Sequence, residues 1–118
     1  MTARPAMHPD AAARWRSLTL VEQLAHVGSE VERTIRANLA GNAGRRAHAL
    51  DRALELFDLS ASDARWRGPR RREILRAREE FCRLFFGDDQ SLGSAEGLRK
   101  YFLAFAVAAR QTRNWGPG

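Results

Sequence analysis

The chain has 118 residues, and its 20 Lys and Arg residues against 14 Asp and Glu give a formal net charge of +6. This length favours one domain with a packed core and leaves no room for a separate catalytic module. An apolar fraction of 44%, with three Trp and six Phe, excludes the class of disordered basic tails. Lys100 is the only lysine. The cations are therefore nearly all arginines, which suit planar oxyanions but are also typical of GC-rich genomes.

The first predicted helix follows residues 1–13, which we expect to form a flexible arm because they contain two prolines; a short helical turn that reaches residues 14–16 is the alternative. Thr19 and Glu22 match a capping box, in which the hydroxyl and the carboxylate each bind an unpaired backbone amide. Apolar residues then recur at three- and four-residue steps as far as Leu39. Gly28 interrupts this helix at a cost of about 1 kcal/mol relative to alanine, which predicts the close approach of a neighbouring helix.

The second predicted helix follows a break at residues 41–44, where Asn42 can cap it, and its apolar stripe runs to Phe57. The short connection predicts that it packs antiparallel to the first helix. A loop over residues 60–63 then leads into an arginine-rich stretch, residues 65–72, with the sequence Arg-Trp-Arg-Gly-Pro-Arg-Arg-Arg.

The third predicted helix covers residues 69–86, with a proline in its first turn and Gly87 in the left-handed position that ends many helices. A turn-rich loop over 88–93, which includes two aspartates, separates it from a fourth helix capped by Ser94. We expect residues 114–118 to form a tail outside this helix.

These elements predict an all-α fold, because no strand pattern of useful length occurs in the sequence. Four helices of similar length with short loops form most simply an antiparallel four-helix bundle of up-down-up-down topology. We therefore expect a helical bundle over residues 14–113, between the arm at 1–13 and the tail at 114–118.

The bundle topology would bring the three tryptophans, each with arginines nearby in the sequence, to one end of the molecule. Arginines at this end could neutralise phosphates while the indoles stack on exposed bases. The candidate nucleic-acid-binding or anion-binding residues are Arg14, Arg16, Arg65, Trp66, Arg67, Arg70, Arg71, Arg72, Arg110 and Arg113. The alternative is that Trp15, Trp66 and Trp115 plug the base of the core, with arginines stacked over them. The sequence leaves both interpretations open.

The strongest signal is the run of three arginines, Arg70 to Arg72, in the first turn of the third predicted helix. The amides there carry a partial positive charge, so each cation is disfavoured by up to ~1 kcal/mol unless an anion offsets it. That anion could be internal, from Asp58, Asp63 or Glu73, or it could be an external phosphate or carboxylate.

No residue pattern predicts catalysis, a metal site or a cofactor, so we expect a protein that is not an enzyme. His26 lies between Glu22 and Glu30 on one helix face, but a carboxylate-bundle metal site would need Glu-x-x-His on two helices. Cys82 and His48 have no partner at a catalytic spacing. The Arg-x4–6-His signature of the helical HEPN ribonucleases is also missing.

The length, the basic charge and the helix order together resemble small basic four-helix-bundle proteins of bacteria. This group includes accessory proteins of diversity-generating retroelements and bundles encoded within ribosomal RNA intervening sequences. Segments 22–25, 52–56 and 98–102 contribute to the resemblance, which carries over no site residue. It implies a helical-bundle fold more than a particular function.

Two hypotheses of function follow. The first is a non-enzymatic module that binds nucleic acid, RNA or a ribonucleoprotein, through the end rich in Arg and Trp. The second is a protein–protein adaptor or homo-oligomeric subunit whose arginines contact an acidic protein surface. Because Cys82 is the only cysteine and no stretch resembles a signal peptide or a membrane span, we expect a cytoplasmic location without membrane contact.

Overall fold

Helices make up all the regular structure in the computed structural model, which describes residues 9–86 and 92–115, with side chains described over 12–86 and 95–111. The predicted all-α class is confirmed. The helices are α1 (Pro9–Ser17), α2 (Leu20–Leu39), α3 (Ala43–Ala61), a short 3₁₀ turn (Ala64–Trp66), α4 (Pro69–Phe86) and α5 (Leu92–Trp115).

Local capping bonds set the starts of α2 and α3, as the sequence predicts. The Thr19 hydroxyl accepts a hydrogen bond from the Glu22 amide at 3.1 Å, and the Glu22 carboxylate accepts one from the Thr19 amide at 2.9 Å. The Asn42 side chain accepts from the Arg45 amide at 3.0 Å. Gly68, with φ of 83°, makes the left-handed turn that leads into the first residue of α4.

The helix ends differ from the sequence expectation at both ends of the chain. Helix α1 includes residues 9–13, which the sequence assigned to the arm; their three alanines favour helix, and Pro9 suits its first position. Helix α5 begins at Leu92 and continues to Trp115, so Ser94 is not its cap and residues 114–115 are helical. Gly87 and the loop aspartates lie outside the described residues.

Helix α2 packs against both α3 and α5, and α4 also packs against α3 and α5. Phe57 of α3 lies at the centre, fully buried, with its ring 5.7 Å from that of Phe81 and 5.9 Å from that of Phe102. Aromatic contacts therefore join α3, α4 and α5. None of the helices in the described residues is long and apolar enough to cross a membrane.

The contact between α2 and α5 is close at Gly28, as the sequence predicts. A Cβ placed on Gly28 would lie 2.7 Å from the Cβ of Phe102, so only glycine fits this crossing. One turn later in α2, Glu32 forms an ion pair of 2.7 Å with Arg99, which is earlier in α5. The two helices therefore run in opposite directions.

Candidate anion-binding surface

A buried glutamine joins the two tryptophan-containing segments. Gln23 is completely buried, and its Nε2 donates to the Trp15 carbonyl at 2.9 Å and to Asp63 Oδ2 at 3.1 Å. Its Oε1 accepts a hydrogen bond of 2.8 Å from Trp66 Nε1. The end of α1, the start of α2 and the 3₁₀ turn therefore meet around this side chain.

Asp63 and Arg65 form an ion pair beside this glutamine. The Arg65 Nη2 lies 2.7 Å from Asp63 Oδ2 and also donates to the Leu18 carbonyl at 2.8 Å. The Arg65 guanidinium and backbone amide, together with the Gln23 amide, lower the pKa of the buried Asp63 carboxyl to about 2 against the opposing effect of burial. Arg65 therefore has an internal partner and holds two loops together.

The tryptophans at this end belong to the core. Trp15 is 7% exposed and Trp66 is 8% exposed, and the Arg65 guanidinium lies over the Trp66 ring at 4.3 Å from its centroid. Neither ring has an open face on which a base could stack, so the geometry favours the core-plug interpretation for both. Trp66 is therefore left out of the surface described below, because its burial removes the stacking role. The side chains of Trp115 and Arg113 lie outside the described residues.

The three arginines at the start of α4 lie exposed, and no acidic residue lies in the first turn of this helix. Among the described residues, Arg70, Arg71 and Arg72 form no ion pair or side-chain hydrogen bond. The three acids that could have served them are engaged elsewhere: Asp58 pairs with Arg78 at 2.9 Å, Asp63 with Arg65, and Glu73 accepts from the Tyr101 hydroxyl at 2.8 Å. The described acidic side chains therefore do not offset the unfavourable position of these cations at the helix N-terminus.

Four other arginines of the predicted anion-binding set are exposed, and they lie on different elements. Arg67 lies between the 3₁₀ turn and α4, and Arg16 lies next to the buried Trp15. Arg110 follows Phe102 by two turns of α5; because α5 runs opposite to α2, it lies level with the start of α2. Arg14 instead lines a groove on the side of the molecule, with residues of α2 and α3.

A second basic surface follows the outer side of α2 and α3, and the sequence reasoning missed it. A groove of about 750 Å³ is lined there by arginines of both helices and by His48. A second groove of about 500 Å³ shares three of its residues and continues towards α1. The arginines that line one or both grooves are Arg14, Arg33, Arg36, Arg45 and Arg52. A signal exists in the sequence, since Arg45 and Arg52 are seven residues apart on one helix face.

The described residues contain no group of three or more His, Cys, Asp or Glu side chains that could hold a metal ion. Cys82 is half-buried, with Arg78 Nη1 3.9 Å from its sulfur. The arrangement suits the binding of anions, because its distinctive groups are fixed or unpaired guanidiniums. Comparisons of the chain with protein-family models, curated proteins and solved structures gave no match.

Proposed function

We propose that the protein binds the phosphate backbone of nucleic acid through Arg67, Arg70, Arg71 and Arg72, with Arg16 and Arg110 at the same end. One observation carries this proposal: three adjacent guanidiniums lie at a helix N-terminus while the acids around them bind other partners. Their repulsion from the helix dipole is relieved when a phosphate binds between them. The formal charge of +6 adds a general attraction to polyanions.

The burial of Trp15 and Trp66 determines the kind of binding that we propose. With the indoles of Trp15 and Trp66 buried, recognition rests on phosphates, which carry little sequence information. The protein would then bind RNA of many sequences as a non-enzymatic, cytoplasmic accessory to a larger nucleoprotein.

The proposed surface needs the four long helices to form an up-down-up-down bundle, with the arm and tail outside it. The antiparallel contact of α2 with α5 and the order of helix neighbours support this topology. This topology would place the start of α2, the start of α4 and the later part of α5 at the same end of the bundle.

The test compares wild-type protein with the triple variant Arg70→Ala, Arg71→Ala, Arg72→Ala in binding to unrelated RNA and DNA sequences over a range of salt. We expect weaker binding to all of them. In a plot of the logarithm of affinity against the logarithm of salt concentration, each phosphate contact should contribute a slope of about −0.9 on duplex and about −0.7 on single strands. The slope of the variant should be shallower by the contribution of about two to three contacts.

A matched control removes three exposed cations elsewhere, in the variant Arg46→Ala, Arg83→Ala, Lys100→Ala. Both variants lose the same charge, so a general polyanion effect would weaken them equally. Equal salt slopes for the two variants would contradict the proposal, as would a slope unchanged from the wild type.

A protein partner is the second candidate, and exposed apolar residues favour it. Leu75 is 45% exposed on α4, one turn after Arg71, and Phe86 is 65% exposed at the end of the helix. Leucine beside arginine would suit an acidic protein surface with apolar side chains. Purification with nuclease separates the candidates: a protein that loses its absorbance at 260 nm and keeps one defined oligomer or partner favours the second.

A further inference from the structure

An apolar patch lies exposed on the outer face of α5. Leu103 is 57% exposed and Val107 is 40% exposed, and Ala104 beside them is also exposed. Leu103 lines a groove of about 590 Å³ between α5 and α2, and the α2 wall of this groove includes the small residues Ala25, Gly28 and Ser29. A leucine next to a groove of small side chains is the kind of surface on which another helix can pack.

Charges of opposite sign flank the patch at equal distances along the helix. Glu96 lies seven residues before Leu103 and Arg110 lies seven residues after it, each about 10 Å away along the axis. A step of seven residues returns to nearly the same helix face, so the three side chains form one stripe. A second copy of α5 that crossed Leu103 in the antiparallel direction would therefore place its Arg110 opposite Glu96, and the symmetry would form this pair twice.

Both charges are available for such a contact. Arg110 forms no ion pair with any residue that the structure describes. Glu96 lies 2.8 Å from Arg99, but the Glu96 side chain is 58% exposed, and Arg99 also donates two bonds to Glu32 at 2.7 and 2.8 Å. Because an ionised carboxylate has room for several donors, Glu96 can keep Arg99 and accept a second guanidinium.

We propose that this face of α5 binds a second copy of the chain, in a symmetric antiparallel dimer centred on Leu103. Each Leu103 enters the groove beside Gly28 of the other copy, and a Glu96–Arg110 ion pair closes the contact at each end. The formal charge of +6 on each copy opposes association, so the dimer should be weak. This dimer does not rest on the nucleic-acid binding proposed above.

The experiment is sedimentation equilibrium of the full chain from about 10 μM to about 1 mM, at about 0.15 M salt. The protein is treated with nuclease, so that nucleic acid cannot link two copies. We expect an equilibrium between monomer and dimer. A wild-type chain that stays monomeric over the whole range overturns the proposal and leaves this face to a different partner.

Two leucine variants locate the contact. Leu103→Gln should raise the Kd of the dimer about tenfold or more, because each copy loses its central apolar side chain. Leu75→Gln replaces another exposed leucine, on α4, and should leave the Kd unchanged. An equal effect of the two changes would contradict a contact centred on α5.

Charge reversal tests the antiparallel register. Glu96→Arg and Arg110→Glu should each raise the Kd about tenfold, because each change places like charges opposite each other twice in the dimer. General charge cannot explain the same loss in both, since one change raises the net charge and the other lowers it. The side chains are exposed, so circular dichroism should show the helix content of the wild type in both variants.

The two reversals combined in one chain should restore the Kd to within about threefold of the wild-type value. Glu96 and Arg110 of one chain lie fourteen residues apart, about 21 Å along α5, so they cannot pair with each other. Restoration can therefore arise only between copies, and its failure would refute the proposed register.

The dimer and the nucleic-acid surface are separated by the Arg70→Ala, Arg71→Ala, Arg72→Ala variant, which should dimerise with the wild-type Kd. Loss of the dimer in that variant would contradict the α5 contact. Unchanged RNA binding by the same variant would refute the nucleic-acid surface and leave the dimer unaffected.

Discussion

The Trp66 indole nitrogen donates a hydrogen bond of 2.8 Å to the Gln23 side chain, which is completely buried and 43 residues away in the chain. Because the other end of the same amide donates to Trp15 and Asp63, one side chain satisfies three buried groups.

Replacement of Gln23 by leucine should therefore lower the free energy of unfolding by about 3 kcal/mol or more, since each buried group left without a partner costs about 1–3 kcal/mol. Urea unfolding followed by tryptophan fluorescence measures the loss. The exposed Gln111, changed to leucine, serves as the control and should alter stability little. A Gln23 variant as stable as the control would show that these bonds are not important for folding.

The Asp63 carboxyl should make the free energy of unfolding depend on pH in the acidic range. Its pKa in the folded protein is about 2, below the ordinary value of 3.8, with Arg65 as the main cause. The ionised form therefore stabilises the folded state above about pH 4, and this stabilisation of about 2 kcal/mol is lost as the pH falls towards 2. The free energies of unfolding of wild type and Asp63→Asn, measured across this pH range, should therefore converge as the pH falls. Parallel curves for Asp63→Asn would contradict the assignment.

Two glycine-to-alanine changes should have opposite effects. At Gly28 the new methyl group would lie 2.7 Å from the Phe102 Cβ, so α2 and α5 must separate, at a cost of about 1–3 kcal/mol. At Gly97, which is exposed and has open space around it, alanine should stabilise α5 by about 0.5–1 kcal/mol. Thermal unfolding of both variants measures the difference. Stabilisation by both would mean that the helix crossing adapts freely.

The triple change of Arg70, Arg71 and Arg72 to alanine should keep or raise thermal stability, even as it weakens the proposed binding. Removal of cations from a helix N-terminus relieves a repulsion of up to ~1 kcal/mol for each. The gain should shrink at high salt, because screening weakens the repulsion. Calorimetry at low and high salt measures both effects. Early melting with an unchanged salt dependence of binding would instead identify these arginines as structural.

The parts of the fold that depend on residues close together in the sequence could be predicted from the sequence alone. The capping box at Thr19, the cap at Asn42 and the bounds of α4 follow from local chemistry, and the structure has all three. Gly28 indicated a close helix contact because glycine destabilises a helix interior, and close packing of a second helix explains its presence there. For α1 the sequence offered only a short helical turn as an alternative to a flexible arm, because the order of this helix depends on where Trp15 packs.

The site was less predictable because its decisive contacts span long stretches of chain. Nothing local to Trp66 indicates that Gln23 covers its indole nitrogen, so the sequence left burial and base stacking as equal alternatives. The same holds for the groove beside α1, which combines Arg14 with Arg33 and Arg52 from two other helices. Such a combination exists only after the helices pack.

The shortness of α1 has a consequence for the motions of the protein. A helix of nine residues is too short to be stable alone in water, so α1 stays ordered through the insertion of Trp15 and the bond from Gln23 to its carbonyl. Its amide hydrogens should therefore exchange with solvent at a lower opening free energy than those of α2, in a subglobal event that leaves the other helices folded. Each such opening would withdraw the Trp15 indole from its groove between α2 and α3.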